Sequence, residues 1–317
     1  MSLVAPTSDG GDDVFSGFKE QRIPTSGAEI VTVYGGEGPP LLLMHGNPFN
    51  YRTWHLIAPR LAREFTVVCT DLRGYGDSSK PPAGDDHSGY SFRSMALDQV
   101  EVMRTLGFNS FHAAGHDRGA RVLHRMCLDH PGTVRSAAFM DMLPQHHLLN
   151  NVTRQWGTFS WHWFFMIQPY PMPETMMNAD PEFFIRRKLS KTAQGTAFFD
   201  PAALADYIRC IRNPEVVHAM CEDYRATFGV DLEMDTADFN AGRKVETPAL
   251  ILWGANGGVG RNHKALDVWS GYATNIVRGA TVPSGHYLQE ECPDETYNEL
   301  STFFRTQAAS ANRAAAE

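Results

Sequence analysis

An aspartate held between two glycines, in Gly115-His116-Asp117-Arg118-Gly119, is the part of this 317-residue chain best equipped for chemistry. An apolar run, Phe111 to Ala114, precedes it, and a helix-like stretch, Val122 to Leu128, follows and stops at Pro131. Strand, Gly-x-Asp-x-Gly, helix is an order that thrusts the central side chain out above a sheet edge, because glycines allow a turn too tight for side chains. A carboxylate placed there is already ionised at neutral pH, so it can attack a saturated carbon directly and form an ester. The bland alternative is an N-cap for the following helix, a role aspartate fills well; the two glycines after a buried strand favour the nucleophile. Arg118 and Arg121 lie three apart in the first helical turn. Cations there oppose the helix dipole at a cost of roughly 0.3–1 kcal/mol each. Breaking a local rule twice beside a candidate nucleophile points to function. Guanidinium forks match a carboxylate two-pronged, and their charge is expected to keep Asp117 ionised.

Four segments then carry a likeness. Gly-His-Asp-Arg-Gly-Ala-Arg at the elbow, His162-Trp163, Cys221-Glu222-Asp223-Tyr224-Arg225 and Ser284-Gly285-His286, in this order, resemble the fluoroacetate dehalogenases of the α/β-hydrolase superfamily. The resemblance runs from Phe18 to Phe304. It implies an α/β-hydrolase fold, Asp117 as nucleophile, and Arg118 with Arg121 as the grip on a substrate carboxylate. It also implies His286 as the base that activates water against the Asp117 ester, and His162, Trp163 and Tyr224 as the halide pocket. Imidazole, indole and phenol each have one hydrogen bond to donate, which suits a small, poor leaving group such as fluoride. Asp141, at the end of the strand after the elbow helix, is expected to orient His286. Many members of the superfamily place this acid after a later strand, but that loop here reads Trp253-Gly254-Ala255-Asn256-Gly257-Gly258, without an acid until Asp267. His45-Gly46-Asn47-Pro48 marks the oxyanion loop, with the backbone N–H groups of Asn47 and Arg118 as donors. Phe is more usual than Asn at position 47 in this family, so the residue is a departure.

These implications amount to hydrolysis of a 2-haloacetate to glycolate and halide through an aspartyl ester. An epoxide hydrolase is the nearest alternative, since it uses the same acid, base and nucleophile, and Tyr170, Tyr207 and Tyr224 are candidates for its two lid tyrosines. It has no use for two arginines at the elbow, nor has a neutral haloalkane. A related alternative acts on chloro- or bromoacetate and poorly on fluoroacetate. A non-catalytic binding protein on the same scaffold commonly loses a triad member, and all three positions are filled here.

The elements that must position these residues alternate. Phe18 to Ile23 and Ala28 to Tyr34, around Pro24-Thr25-Ser26-Gly27, read as a hairpin. Pro40 to Met44 and Thr66 to Thr70 are continuous apolar strands of the kind buried on both faces of a parallel sheet. A helix is expected from Thr53 to Glu64 and another from Ser94 to Leu106, then a strand from Val134 to Met140. Between Pro144 and Asn240 the pattern is aromatic, Met-rich and helical, with no convincing strand. Strands resume at Pro248 to Trp253 and Ile276 to Val282, around a helical stretch from His263 to Tyr272, and a last helix spans Pro293 to Gln307. The expected organisation is a core of residues 1–143 and 241–317 carrying a helical cap of residues 144–240, with a loose arm over residues 1–16 and a frayed Ala-rich tail.

A net charge of −8 argues against nucleic-acid and anionic-membrane partners, and requires that any anion site be built locally from arginine. Five scattered cysteines without C-x-x-C spacing read as free thiols of a reducing, cytoplasmic compartment. No run is long enough to span a bilayer. No HExxH or clustered Cys/His site calls for a metal, Gly258-Val259-Gly260 lacks the third glycine of a dinucleotide loop, and no organic cofactor is expected. The partner implied is a small anionic haloacid, and the family suggests a homodimer.

Overall fold

The computed structural model describes residues 14–190 and 195–314. Most of the expected N-terminal arm and the end of the tail lie outside them. Eight strands form one sheet: β1 (Lys19–Pro24), β2 (Glu29–Gly35), β3 (Pro40–Met44), β4 (Thr66–Thr70), β5 (Phe111–His116), β6 (Val134–Met140), β7 (Ala249–Gly254) and β8 (Ile276–Val282). Their spatial order is β1-β2-β4-β3-β5-β6-β7-β8. β2 pairs antiparallel with both of its neighbours, and every other pairing is parallel.

The apolar strands divide their side chains by the period of two that a pleat imposes. Leu42, Met44, Val68, Ala113, Phe139 and Ile251 enter the core on one face. Leu41, Leu43, Val67, Ala114, Met140 and Leu252 enter a second core on the other. A sheet covered on both faces is the reason these strands read as uninterrupted hydrophobic runs.

Eight helices among the described residues, from Gln145–Asn150 to Val230–Asn240, fill the chain between β6 and β7. Their residues Trp156, Trp163, Lys188 and Tyr224 meet, around one cavity, the residues that follow β3, β5 and β6.

Two expected helices are different. The stretch from Thr53 to Glu64 is a 3-10 turn, Tyr51–Trp54, and a one-turn helix, Ala58–Leu61. Pro59 explains the break, because it has no N–H for a longer ladder and disfavours helical backbone in the residue before it. The stretch around His263 to Tyr272 holds one short helix, Ala265–Trp269; the extended backbone of His263 parts it from another, Gly258–Asn262, that lies before the expected start. The last helix runs further than expected, over Pro293–Ala314.

Candidate active site

Asp117 stands between β5 and the helix Arg118–Asp129 with φ 51° and ψ −113°, a backbone that L side chains rarely adopt. Its side chain makes no cap hydrogen bond, so the N-cap role is not the one it fills. The glycines are there for close approach. A Cβ at Gly115 would stand 2.3 Å from the carbonyl of Gly119, and one at Gly119 would stand 2.4 Å from that of Met44. One at Gly46 would meet the Asp117 Cβ at 2.4 Å. Elbow and oxyanion loop are thus packed backbone to backbone, with no room for a methyl group between them.

That approach delivers the Asn47 N–H to Asp117 Oδ1 at 3.1 Å. The other carboxylate oxygen, Oδ2, lies 3.5 Å from His286 Nε2. On the far side of the ring, His286 Nδ1 is 2.5 Å from Asp141 Oδ2. Asp141 follows β6 with φ 45°, and its Oδ1 accepts from the Gly254 N–H at 3.1 Å. Its second oxygen is therefore left to the imidazole, with the Nδ1 proton fixed between them. His116 Nε2 donates to the His286 carbonyl at 2.7 Å and steadies the loop that carries the base.

Burial pushes the Asp117 carboxyl up, but the hydrogen bond and charge of His286, with the charges of His116 and Lys188, outweigh it and hold the group well below the carboxylate range. The leading cations are thus not the two arginines that the sequence suggested. Arg118 is fully buried and its fork already grips Asp223: Nε donates to Oδ2 at 2.8 Å and Nη2 to Oδ1. Nη2 also reaches Thr227 Oγ1 at 2.5 Å, and the guanidinium lies 4.1 Å from the Tyr224 ring centroid. Only Nη1 is buried with no hydrogen-bond partner. A two-pronged grip by Arg118 on an external carboxylate is excluded in this arrangement; one N–H face remains.

Arg121 is different. Its Nη1 donates to the Leu143 carbonyl at 3.1 Å and to Gln145 Oε1 at 2.6 Å, both uncharged acceptors. Nε is buried without a partner, and Arg121 makes no ion pair with the described residues. Burial, and then the nearby charge of Arg118, push its pKa down to about 10. The charges of Asp117 and Asp235 offset this in part, and a buried cation with no ion-pair partner gains further from an anion placed beside it.

The cavity beside it has a volume of about 70 Å³. Asp117, Arg121, His286, His162, Trp163 and Tyr224 are among the residues lining it. His162 and Trp163 come from the helix Trp161–Met166, and Tyr224 comes from Pro214–Phe228. The Trp163 and Tyr224 rings meet edge-on at 5.4 Å and those of His162 and Tyr224 at 6.0 Å, so three buried side chains with donor capacity share one end of the cavity. Arg118 is not among the lining residues; it stands behind Tyr224. Asn47 does line the cavity, and its side-chain amide donates to Tyr75 Oη at 3.1 Å, which in turn donates to Asp223 Oδ2 at 2.5 Å.

Asp223, Tyr75, Gln145 and Lys188 belong to this site and were not assigned from sequence. Asp223 had a signal, since it sits in the quoted Cys221–Arg225 segment. Lys188 had none. It follows Arg186 and Arg187 in a basic run that reads as a solvated face.

Residues 39–293 match the model of the alpha/beta hydrolase fold family. The chain is 44% identical over 291 residues to a fluoroacetate dehalogenase of Burkholderia sp., covering 92% of this chain and 95% of that one. It is 27% identical to a soluble epoxide hydrolase of Corynebacterium sp., over 88% and 94% of the two chains. A crystal structure from Nostoc sp. PCC 7120, assigned to the alpha/beta hydrolases, superposes with a TM-score of 0.88 at 46% identity, over 92% and 99% of the two chains.

Proposed function

This chain belongs to the alpha/beta hydrolase fold family, in its fluoroacetate dehalogenase branch, and from that premise we propose that it hydrolyses 2-haloacetates, fluoroacetate included, to glycolate and halide. One observation carries the reading: a buried arginine that makes no ion pair with the described residues, Arg121, faces the same small cavity as an ionised, outward-thrust aspartate. An acid of two carbons brings an ion-pair partner, and a cavity of about 70 Å³ has space for few atoms more.

In the first half-reaction Asp117 Oδ2, the oxygen not held by the oxyanion loop, attacks the α-carbon in line. The carbon–halogen bond breaks, and the halide leaves with the bonding pair toward His162, Trp163 and Tyr224. Arg121 holds the carboxylate so that the α-carbon faces Oδ2, and the charge of Arg118, behind Tyr224, adds to the pull on it. In the second, His286 Nε2 takes a proton from water, and the hydroxide adds to Asp117 Cγ. Negative charge develops on Oδ1, against the Asn47 N–H and the backbone N–H of Arg118 at the open first turn of its helix. Collapse expels the alkoxide, which takes the proton from His286 and departs as glycolate, and the carboxylic acid left at Asp117 gives up its proton to solvent. Asp141 stabilises the imidazolium between these two transfers. The core-and-cap division at residues 144–240 suits this cycle, since closing helices over the carboxylates excludes water. The functional unit in this reading is a soluble homodimer, to be checked by light scattering. No helix among the described residues is long and apolar enough to cross a membrane.

Epoxide hydrolysis is the second reading, favoured by the Corynebacterium relative. Buried Arg121 weighs against it, because a neutral epoxide gives that charge no ion-pair partner. The test is halide release from fluoroacetate, chloroacetate and bromoacetate beside diol formation from a small epoxide. Halide from the haloacids and no diol is the expected result; diol without halide overturns the reading.

A further inference from the structure

Lys188 is buried in the last turn of the helix Pro181–Leu189, lines the cavity with Asp117, and donates from Nζ to the Asn47 carbonyl at 2.9 Å. Its charge is one of those that hold the Asp117 carboxyl down. Packing alone does not call for an ammonium here, because an apolar side chain of the same length fills such a site without the cost of desolvating a charge.

Residue 47 is therefore tied at three points. Its N–H is on Asp117 Oδ1, its side-chain amide is on Tyr75, and its carbonyl is on Lys188. Two of the three ties come from the sheet side. Lys188 alone comes from the helices inserted between β6 and β7, and it reaches the oxyanion loop only with those helices seated as they are here. We infer that Lys188 is a positioning residue that makes a working oxyanion site conditional on closure, by fixing the peptide whose N–H meets Oδ1 and setting a positive charge beside it.

This inference rests on the two-step reading above and adds a half-reaction to it. Charge accumulates on Oδ1 only during hydrolysis of the ester. During attack on the α-carbon, charge leaves the carboxylate, so a nearby cation helps that step little. Removing Lys188 is thus expected to slow ester hydrolysis selectively.

The experiment compares wild type with Lys188→Met, Lys188→Arg and Lys188→Gln by rapid quench on chloroacetate. Halide is counted in the first turnover, and the Asp117 ester is followed by intact-protein mass spectrometry. Lys188→Met is expected to keep a halide burst within a few-fold of wild type, while ester hydrolysis slows about 10–100-fold, the scale of a misaligned or weakened oxyanion donor. The ester then becomes the main steady-state form, kcat falls, and KM falls with it. Lys188→Arg is expected to restore most of the hydrolysis rate, and Lys188→Gln, which keeps a donor without the charge, only part of it. If Lys188→Met does not fold, the arginine and glutamine variants give the same comparison. Equal slowing of both half-reactions, or ester hydrolysis at the wild-type rate, overturns the role of Lys188 and leaves the dehalogenase reading standing. Wild type that releases no halide overturns that reading instead.

Discussion

Replacing His286 with glutamine leaves the nucleophile in place and removes the base, which separates the two halves of the cycle. The expected outcome is one halide released per site, then arrest, with hydrolysis of the ester slowed about 10²–10⁴-fold and the ester visible on the Asp117 peptide by mass spectrometry. Arg121→Met is expected to raise KM for haloacetates about 10–100-fold, the loss of one charge-assisted contact, with a smaller change in kcat. Burial lowers the Arg121 pKa, but a guanidinium keeps its proton through the working range, so the KM effect of Arg121→Met is expected to be independent of pH between about 6 and 9. At this scale the sequence was most legible where backbone and chemistry coincide. Asp117 was visible through its glycines, and Asp141 through the absence of an acid in the later loop. Arg118 and Arg121 were alike in sequence and are unlike in the structure. What separates them is Asp223, more than a hundred residues away, which occupies one fork and leaves the other open.

Among elements, the elbow and the loop after β3 are the pair whose contact sets the site. Gly119→Ala places a methyl group 2.4 Å from the Met44 carbonyl and 2.5 Å from that of His45. Both neighbours are backbone, so neither can swing aside, and the strand end must shift together with the Asn47 donor. The expected cost is about 1–3 kcal/mol of stability, read by denaturant unfolding, with a fall in kcat that exceeds what the unfolded fraction explains. Strand positions were legible where burial on both faces leaves a continuous apolar signature; β3 and β4 fall on the expected Pro40–Met44 and Thr66–Thr70. Helices were less so. Pro59 falls inside the helix expected from Thr53 to Glu64, and in the structure only one helical turn, Ala58–Leu61, forms around it. Lys188 was illegible for a related reason. Whether a lysine at the end of a basic run points outward or beneath its helix depends on what the helix is packed against, and periodicity is silent on that.

For the molecule as a whole, several carboxyls buried outside the site govern how stability varies with pH. Burial pushes Asp231 and Glu290 up to about 8 and Asp71 up to about 7. A folded-state pKa above the unfolded one means that the native state binds more protons between the two values, so stability falls as pH rises through that window. From about pH 4 to pH 8 these three groups therefore oppose the fold progressively, and above pH 8 their effect is constant. Asp231 accepts the Phe92 N–H through Oδ1 at 2.9 Å while Oδ2 has no partner. Asp231→Asn keeps that bond and removes the titration. It is expected to melt higher than wild type at pH 8 and alike at pH 4, and a difference that does not vary with pH contradicts the assignment.

The covalent ester on Asp117 is what every step requires, and a single turnover in water labelled with heavy oxygen, with enzyme in excess over chloroacetate, tests it most directly. The first glycolate formed takes its new oxygen from Asp117, so the account predicts unlabelled product and label in the peptide that contains residues 115–121. Label in the glycolate of that first turnover, with none in the peptide, means that water attacked the substrate itself and contradicts the account.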